Sequence, residues 1–184
     1  VFASNGRFYT IGGDKLPAGR GFGEPIRLMV DLPNDVDIVD MKLYTPDQKM
    51  IVAANTGHGF IVSMNDLLAQ TKGGKQVLNV GDKAKATVCR TVREGDDHIA
   101  VIGTNRKFIV FPLSDMPEMA KGKGVILQKY KGGALSDLKT FNLETGLPFK
   151  YGSGERIEDV KPWVMGRAGQ GKLPPNGFPK NNKF

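Results

Sequence analysis

Apolar positions in this chain fall in short runs of strand length. MIVAA (50–54), GFIVS (59–63), HIAVI (98–102) and KFIVFPL (107–113) are rich in β-branched and aromatic residues. Gly, Asn and Asp bound them, which is the mark of strands. They come in pairs around turns. Asn55-Thr56-Gly57 separates the first pair and Gly103-Thr104-Asn105 the second, while Ser4-Asn5-Gly6 divides VFA (1–3) from RFYTIG (7–12) in the same way. Apolar run, Asn/Gly turn and aromatic run read as a β-hairpin. Phe8, Phe60 and Phe108 occupy matching places in the aromatic runs and are expected in the core. A further apolar run follows each hairpin: IRLMV (26–30), VLNV (77–80) and VILQKY (125–130). Helical signals are confined to NDLL (65–68) and SDMPEM (114–119), and Pro117 and Pro162 limit anything longer.

Between hairpin and later run lies a basic, glycine-rich turn. Its copies are Gly19-Arg20-Gly21-Phe22-Gly23, Lys72-Gly73-Gly74-Lys75, Lys121-Gly122-Lys123-Gly124 and Gly166 to Lys172 (GRAGQGK). A period of about fifty residues points to stacked or radial repeats. With roughly four strands per unit, the pattern predicts an all-β, propeller-like array. The fourth copy is eroded: RIEDVKPW stands where the aromatic strand would be, and Leu173-Pro174-Pro175 ends it. Blades are therefore expected over 1–165, the last one degenerate, with a basic tail over 166–184. From Pro174 onward (PPNGFPKNNKF) little can be buried, so a loosely held segment is expected. The chain opens on Val1, inside what reads as half a hairpin. A missing half is expected upstream, making this the C-terminal piece of a longer protein.

The net charge is +7, and its placement matters more than its size. Residues 31–60 are acidic, with Asp31, Asp35, Asp37, Asp40 and Asp47, which read as polar ends of strands or as a face that repels DNA. Lys161, Arg167, Lys172, Lys180 and Lys183 lie in a stretch without an acid. Cations at equivalent turns of a radial repeat line one rim, which suits a long polyanion. Cys89 is the one cysteine, which excludes a disulfide framework and fits a reducing cytosol.

Catalytic patterns are weak. GRAGQGK approaches a phosphate-binding loop, but Leu173 replaces the required Ser or Thr, and prolines follow where a helix should start. Cys89 lies in the alternating ATVCRTV and reads as a small buried hydrophobe. His58 reads as an exposed turn residue, and Trp163 as packing for the last unit. No metal-ligand spacing is present.

The pieces KLPAGRGFGEPIRL (15–28), TGHGFIVSMNDLLAQTKGGKQVL (56–78) and VFPLSDMPEMAKGKGVIL (110–127) resemble the C-terminal domain of the bacterial DNA topoisomerase IV A subunit. The resemblance implies a β-pinwheel, a propeller-like array whose blades exchange strands, often as an open or partial ring. It implies a non-catalytic, DNA-binding part of a cytoplasmic, nucleoid-associated enzyme. That enzyme uses ATP and magnesium for double-strand passage, separates linked daughter chromosomes and relaxes supercoils. In its heterotetramer the partners would be the rest of the same polypeptide, the ATPase B subunit, and double-stranded DNA. The sister family, the DNA gyrase A subunit, carries a box of the form Gln-Arg-Arg-Gly-Gly-Lys-Gly. Here the nearest segment is Gln70 to Gln76 (QTKGGKQ), which lacks both arginines and the last glycine. The expected phosphate contacts are Arg20, Arg27, Lys72, Lys75, Lys121, Lys123, Arg167 and Lys172. A gyrase-type DNA-wrapping domain, a propeller that binds protein, and a propeller enzyme with a central pocket are the alternatives.

Overall fold

The computed structural model describes residues 1–184. Its strands are β1 (Phe2–Ala3), β2 (Arg7–Phe8), β3 (Ile38–Asp40), β4 (Lys49–Ala54), β5 (His58–Ser63), β6 (Lys75–Gln76), β7 (Ala86–Thr91), β8 (His98–Gly103), β9 (Phe108–Pro112), β10 (Val125–Ile126), β11 (Leu135–Phe141), β12 (Leu147–Tyr151) and β13 (Gly154–Glu158). Single 3-10 turns at Met64–Leu67 and Leu113–Asp115 match the two short helical signals. No helix is long and apolar enough to cross a membrane.

Each repeat is a small antiparallel sheet whose last strand comes from the next stretch of chain. The first sheet has the order β3-β1-β2-β6 and the second β10-β5-β4-β7. β6 and β10 lie beyond the following hairpin in sequence, yet pair back onto β2 and β5. The third sheet, β11-β8-β9, receives Lys172 in the same place, through an antiparallel bridge to Phe108. This is the strand exchange of a β-pinwheel. Residues from β12 and β13 form a separate fourth hairpin.

The sheets pack face against face. Phe2, Phe8, Met50, Val52, Phe60, Val62 and Cys89 fill the space between the first and second. Ile51, Ala53, Ile61 and Val88, on the other face of the second sheet, meet Ile99, Val101, Ile109 and Phe111 of the third. Ala100, Ile102, Phe108 and Val110 turn towards Leu147, Phe149 and Phe178. Successive strand residues point to opposite faces, and both faces of the middle sheets are covered. That is why MIVAA and HIAVI are continuous apolar runs instead of alternating ones.

Several expectations are corrected. VFA is not half of an incomplete hairpin, because β1 pairs with β2 (Phe2 opposite Phe8) and with β3 on its other edge. IRLMV forms a 3-10 turn at Ile26–Leu28 and not a strand. The later runs each find a hairpin edge from the preceding repeat, and within residues 1–184 no such edge precedes IRLMV. The end of the chain is not loosely held. Phe178 is buried against Phe108 and Phe149, and Phe184 packs tilted against Phe108 and edge-on against Phe178. Arg106 donates to the carbonyls of Pro179 and Phe178, Asn182 accepts from Ser136 Oγ, and the Phe184 N–H is held by Asp137. The aromatic pair hidden among Pro, Asn and Lys supplies the burial that composition did not promise.

Candidate nucleic-acid interface

The basic turns are built by close backbone contacts. In the second turn Gly74 has φ +74°, and a Cβ there would sit 2.7 Å from the Phe8 carbonyl oxygen. Gly124 (φ +79°) ends the third turn with 2.1 Å to the Gly59 oxygen, and Gly171 (φ +80°) ends the fourth with 2.4 Å to the Phe108 oxygen. Only glycine meets both demands, a left-handed backbone and a neighbour at that range. One glycine per turn thus locks it onto the hairpin of the preceding repeat.

The turns are also laced to the runs between them. Lys72 O accepts from the Asp31 N–H, Gly122 bonds the backbone of Val77 and Asn79, and Leu127 and Lys129 bond Ala168 and Gly169. Each of the second, third and fourth turns is therefore bonded to the run that follows the turn before it, the second to the run after the first turn. The first turn itself makes no such bond. Nothing lies within 4 Å of a Cβ built on Gly19, Gly21 or Gly23, Phe22 is fully exposed, and Arg20 stands in solvent.

The candidate cations divide into two groups. Lys72, Lys75, Lys121 and Lys123 are exposed and none forms an ion pair. Lys172 is exposed as well, with its ammonium 5.4 Å from the Trp163 ring centroid. By contrast Lys42, Lys49, Lys85 and Lys161, all outside the turns, face Asp40, Glu118, Asp37 and Glu144. Ammonium groups without a carboxylate partner thus stand at all three laced turns, as they do at other lysines such as Lys15, Lys83 and Lys129. Arg27 and Arg167 differ. Arg27 donates to the carbonyls of Leu32, Pro33 and Val36, and Arg167 donates to Ile126 O at 2.7 Å. Both brace the backbone next to a turn, Arg27 through three carbonyls and Arg167 through one, which leaves Arg167 further N–H donors.

Three residues that the sequence reading passes over stand at the same turns. Arg7 donates to Gly73 O at 3.2 Å, inside the second turn. Lys107 accepts through its carbonyl from Gln128, whose amide also donates to Gln170 O in the fourth turn. His58 opens β5 beside β10, and the Lys123 charge acts on it. It is half-buried, not exposed, and burial first and Lys123 second hold its pKa below the ordinary value. Each is the first residue after its hairpin turn, following Gly6, Gly57 and Arg106, so aligning the hairpins on their turns is the signal that finds them, whereas alignment on the Phe leaves His58 one residue out of register.

The fourth turn does not have the geometry of a phosphate-binding loop. The fourth turn has its Gly171 against Phe108 and its Lys172 backbone paired to the same residue, which leaves no open cradle of N–H groups. No group of three or more His, Cys, Asp or Glu gathers anywhere in the chain. Cys89 is buried, with its thiol pushed up to about 12 mainly by desolvation.

Known proteins share this architecture. A family model described as the DNA gyrase C-terminal domain, a β-propeller, matches residues 97–141. The chain is 46% identical over 186 residues to the DNA topoisomerase 4 A subunit of Caulobacter vibrioides, covering 100% of this chain and 24% of that protein. Its counterpart in Rickettsia bellii is 44% identical over 185 residues, with 100% and 25% covered. The chain thus spans about a quarter of the length of these relatives. The solved E. coli ParC C-terminal domain matches with a TM-score of 0.82 at 26% identity, over 95% of this chain and 75% of that one. With its exchanged strands, its glycine-locked turns and its end-to-end identity to these relatives, the chain belongs to the family of the DNA topoisomerase IV A subunit, where it corresponds to the C-terminal domain.

Proposed function

We propose that this chain holds a segment of duplex DNA by its phosphate backbone and presents it to the strand-passage core of a topoisomerase IV. The observation that carries this is the series of laced turns bearing Lys72, Lys75, Lys121, Lys123 and Lys172, cations with no carboxylate partner in the chain. Exposed ammonium groups at regular intervals suit a polymer with regularly spaced negative charge. Arg20, on the free first turn, can join the same segment from one side. Arg27 and Arg167 serve by holding the turns in shape. Contacts to phosphate carry no sequence information, so sequence preference is expected to be weak.

Within the whole enzyme the preceding part of this polypeptide cuts and rejoins DNA, the B subunit supplies ATP hydrolysis, and magnesium acts at those sites. This domain contributes capture of a DNA segment for decatenation and relaxation in the bacterial cytoplasm, at the nucleoid. End-to-end identity to topoisomerase IV relatives, together with Thr71-Lys72 in place of an arginine pair, favours this reading over gyrase-type wrapping. Fluorescence anisotropy with a short duplex, repeated over a range of salt, tests it. With about five phosphates neutralised, log K is expected to fall against log salt with a slope of about −4.5. Absence of binding at low salt, or binding insensitive to salt, would exclude it.

A further inference from the structure

The hairpin residues beside the basic turns repeat a charge with one exception. At the first junction the side chain is Arg7 and at the third it is Lys107, both permanently cationic. At the middle junction it is His58. All three flank the strand-exchange turn that docks on their own hairpin, so they adjoin the lysines proposed above to meet phosphate. The middle junction therefore carries a titratable member in a row of fixed charges.

The surroundings of His58 allow it to change state. Its Nδ1 lies 3.1 Å from Thr56 Oγ1, and no hydrogen bond within the chain engages Nε2. A hydroxyl can donate to a neutral ring or accept from a protonated one, so Thr56 accommodates both forms. Strand β4 and its turn bring Asn55 and Thr56, which carry no charge. Lys85, bonded to Asn55 through its backbone, has its ammonium 3.7 Å from Asp37. From β10 and its turn the charge is Lys123, and no carboxylate acts on the ring. Behind Gly57 stands Tyr130, a buried phenol that stays neutral because burial raises its pKa. Burial first and Lys123 second, with no acid to compensate, favour the neutral ring in the free chain.

We propose that His58 is a proton-gated phosphate contact: duplex DNA bound across the middle junction draws a proton onto His58, so affinity rises as pH falls. This rests on the DNA-holding reading above. A phosphate brings the negative charge that the site lacks, and the protonated ring turns Nε2–H outward to it while Nδ1–H is accepted by Thr56. The sign follows directly. A pKa raised on binding adds affinity below the bound value, and the gain levels off once the free ring is protonated too.

The test measures duplex affinity at about pH 5.5 and about pH 8, at matched ionic strength, for the chain and for His58→Gln, His58→Arg and His98→Gln. If phosphate raises the pKa by about one unit, the unaltered chain binds up to about tenfold tighter at the lower pH. Its salt slope is also steeper there by about 0.9. His58→Gln is expected to lose that dependence and His98→Gln to keep it. His58→Arg is expected to bind tightly at both pH values, as a residue like Arg7 would, which also shows that the position accepts a cation and the fold survives. The same pH dependence in His58→Gln as in the unaltered chain would overturn the inference while leaving DNA holding intact. Failure of every form to bind duplex would overturn the DNA-holding reading, and this inference with it.

Discussion

Gly171 lies against the carbonyl of Phe108, so close that a Cβ would stand 2.4 Å from its oxygen, while Phe108 and Lys172 exchange both backbone hydrogen bonds at 2.8 and 3.1 Å. This pair closes the third sheet with a residue from a distant part of the chain. It does for the third repeat what Gly74 does at Phe8 and Gly124 at Gly59.

Gly171→Ala should therefore open the sheet. The left-handed backbone alone costs an alanine about 1–2 kcal/mol, and the collision adds displacement of the paired strand. A loss of about 2–4 kcal/mol is expected in denaturant unfolding. Gly19→Ala makes the comparison. Its φ is +77°, but nothing surrounds it and its segment can move, so a loss under about 1 kcal/mol is expected. Equal losses would show that backbone conformation, and not the contact with Phe108, sets the requirement.

The repeated phenylalanines are the next element to test. Phe60 is fully buried between the first and second sheets, among Val52, Met50 and Val62. Phe60→Ala removes the side chain that both sheets share, at an expected cost of about 3–5 kcal/mol. Chemical denaturation with a two-state fit measures it. A change within about 0.5 kcal/mol would place Phe60 at the surface.

The hairpins are legible in the sequence because short-range signals define them: Asn and Gly at the turns, aromatic and β-branched residues beside them. Their pairing partners are legible as repeats, and strand exchange only through family resemblance, because β6 and β10 are two residues long and carry no alternation of their own. The end of the chain misleads for a different reason. Composition weighs Pro, Asn and Lys equally wherever they fall, whereas Phe178 and Phe184 fold back onto Phe108 as a pair. Arg106 shows the same limit. It takes a left-handed conformation (φ +64°) where the first two hairpins have Gly6 and Gly57, and it holds the end of the chain through Pro179, Phe178 and Asn182. An arginine in a turn reads as a solvated cation until the distant segment it binds is in view. Arg27 and Arg167 show the same in part, since the carbonyls to which they donate are not evident from their place beside the turns.

Cys89 gives a prediction about pH. Burial raises its thiol from 9.0 to about 12, so in the folded chain it is protonated across the physiological range. At about pH 8 an alkylating reagent finds thiolate in only about one molecule in ten thousand, and access is closed besides. Labelling of the folded chain is expected to be slow and to become rapid in denaturant. The thiol also contributes to pH-dependent stability. The unfolded thiol ionises from about pH 9 while the folded one stays neutral, so this contribution is lost as pH rises between the two values. Rapid, stoichiometric labelling of native protein would mean that Cys89 is exposed, against its place between the first and second sheets.

The lysines of the second and third turns allow a test of position against mere charge. Lys72, Lys75, Lys121 and Lys123 stand on laced turns and have no acidic partner, so replacing all four by Ala removes up to four phosphate contacts. Duplex affinity is expected to fall and the salt slope to become shallower by up to about 3.6, or about 0.9 for each phosphate left unbound. Unfolding stability is expected to stay within about 0.5 kcal/mol per site, since exposed lysines contribute little. Lys42 and Lys49 serve as controls, being paired at 2.9 Å with Asp40 and 2.8 Å with Glu118. Their replacement changes the net charge by two but takes nothing from the turns, so the slope is expected to hold. Because fewer charges change, the comparison is made per lysine. In an enzyme assembled with the four-lysine variant, DNA cleavage is expected to persist while unlinking of DNA circles slows, since capture and cutting belong to different parts. Equal losses per lysine in the two variants would show that net charge alone governs binding, and the row of turns would then have no special role.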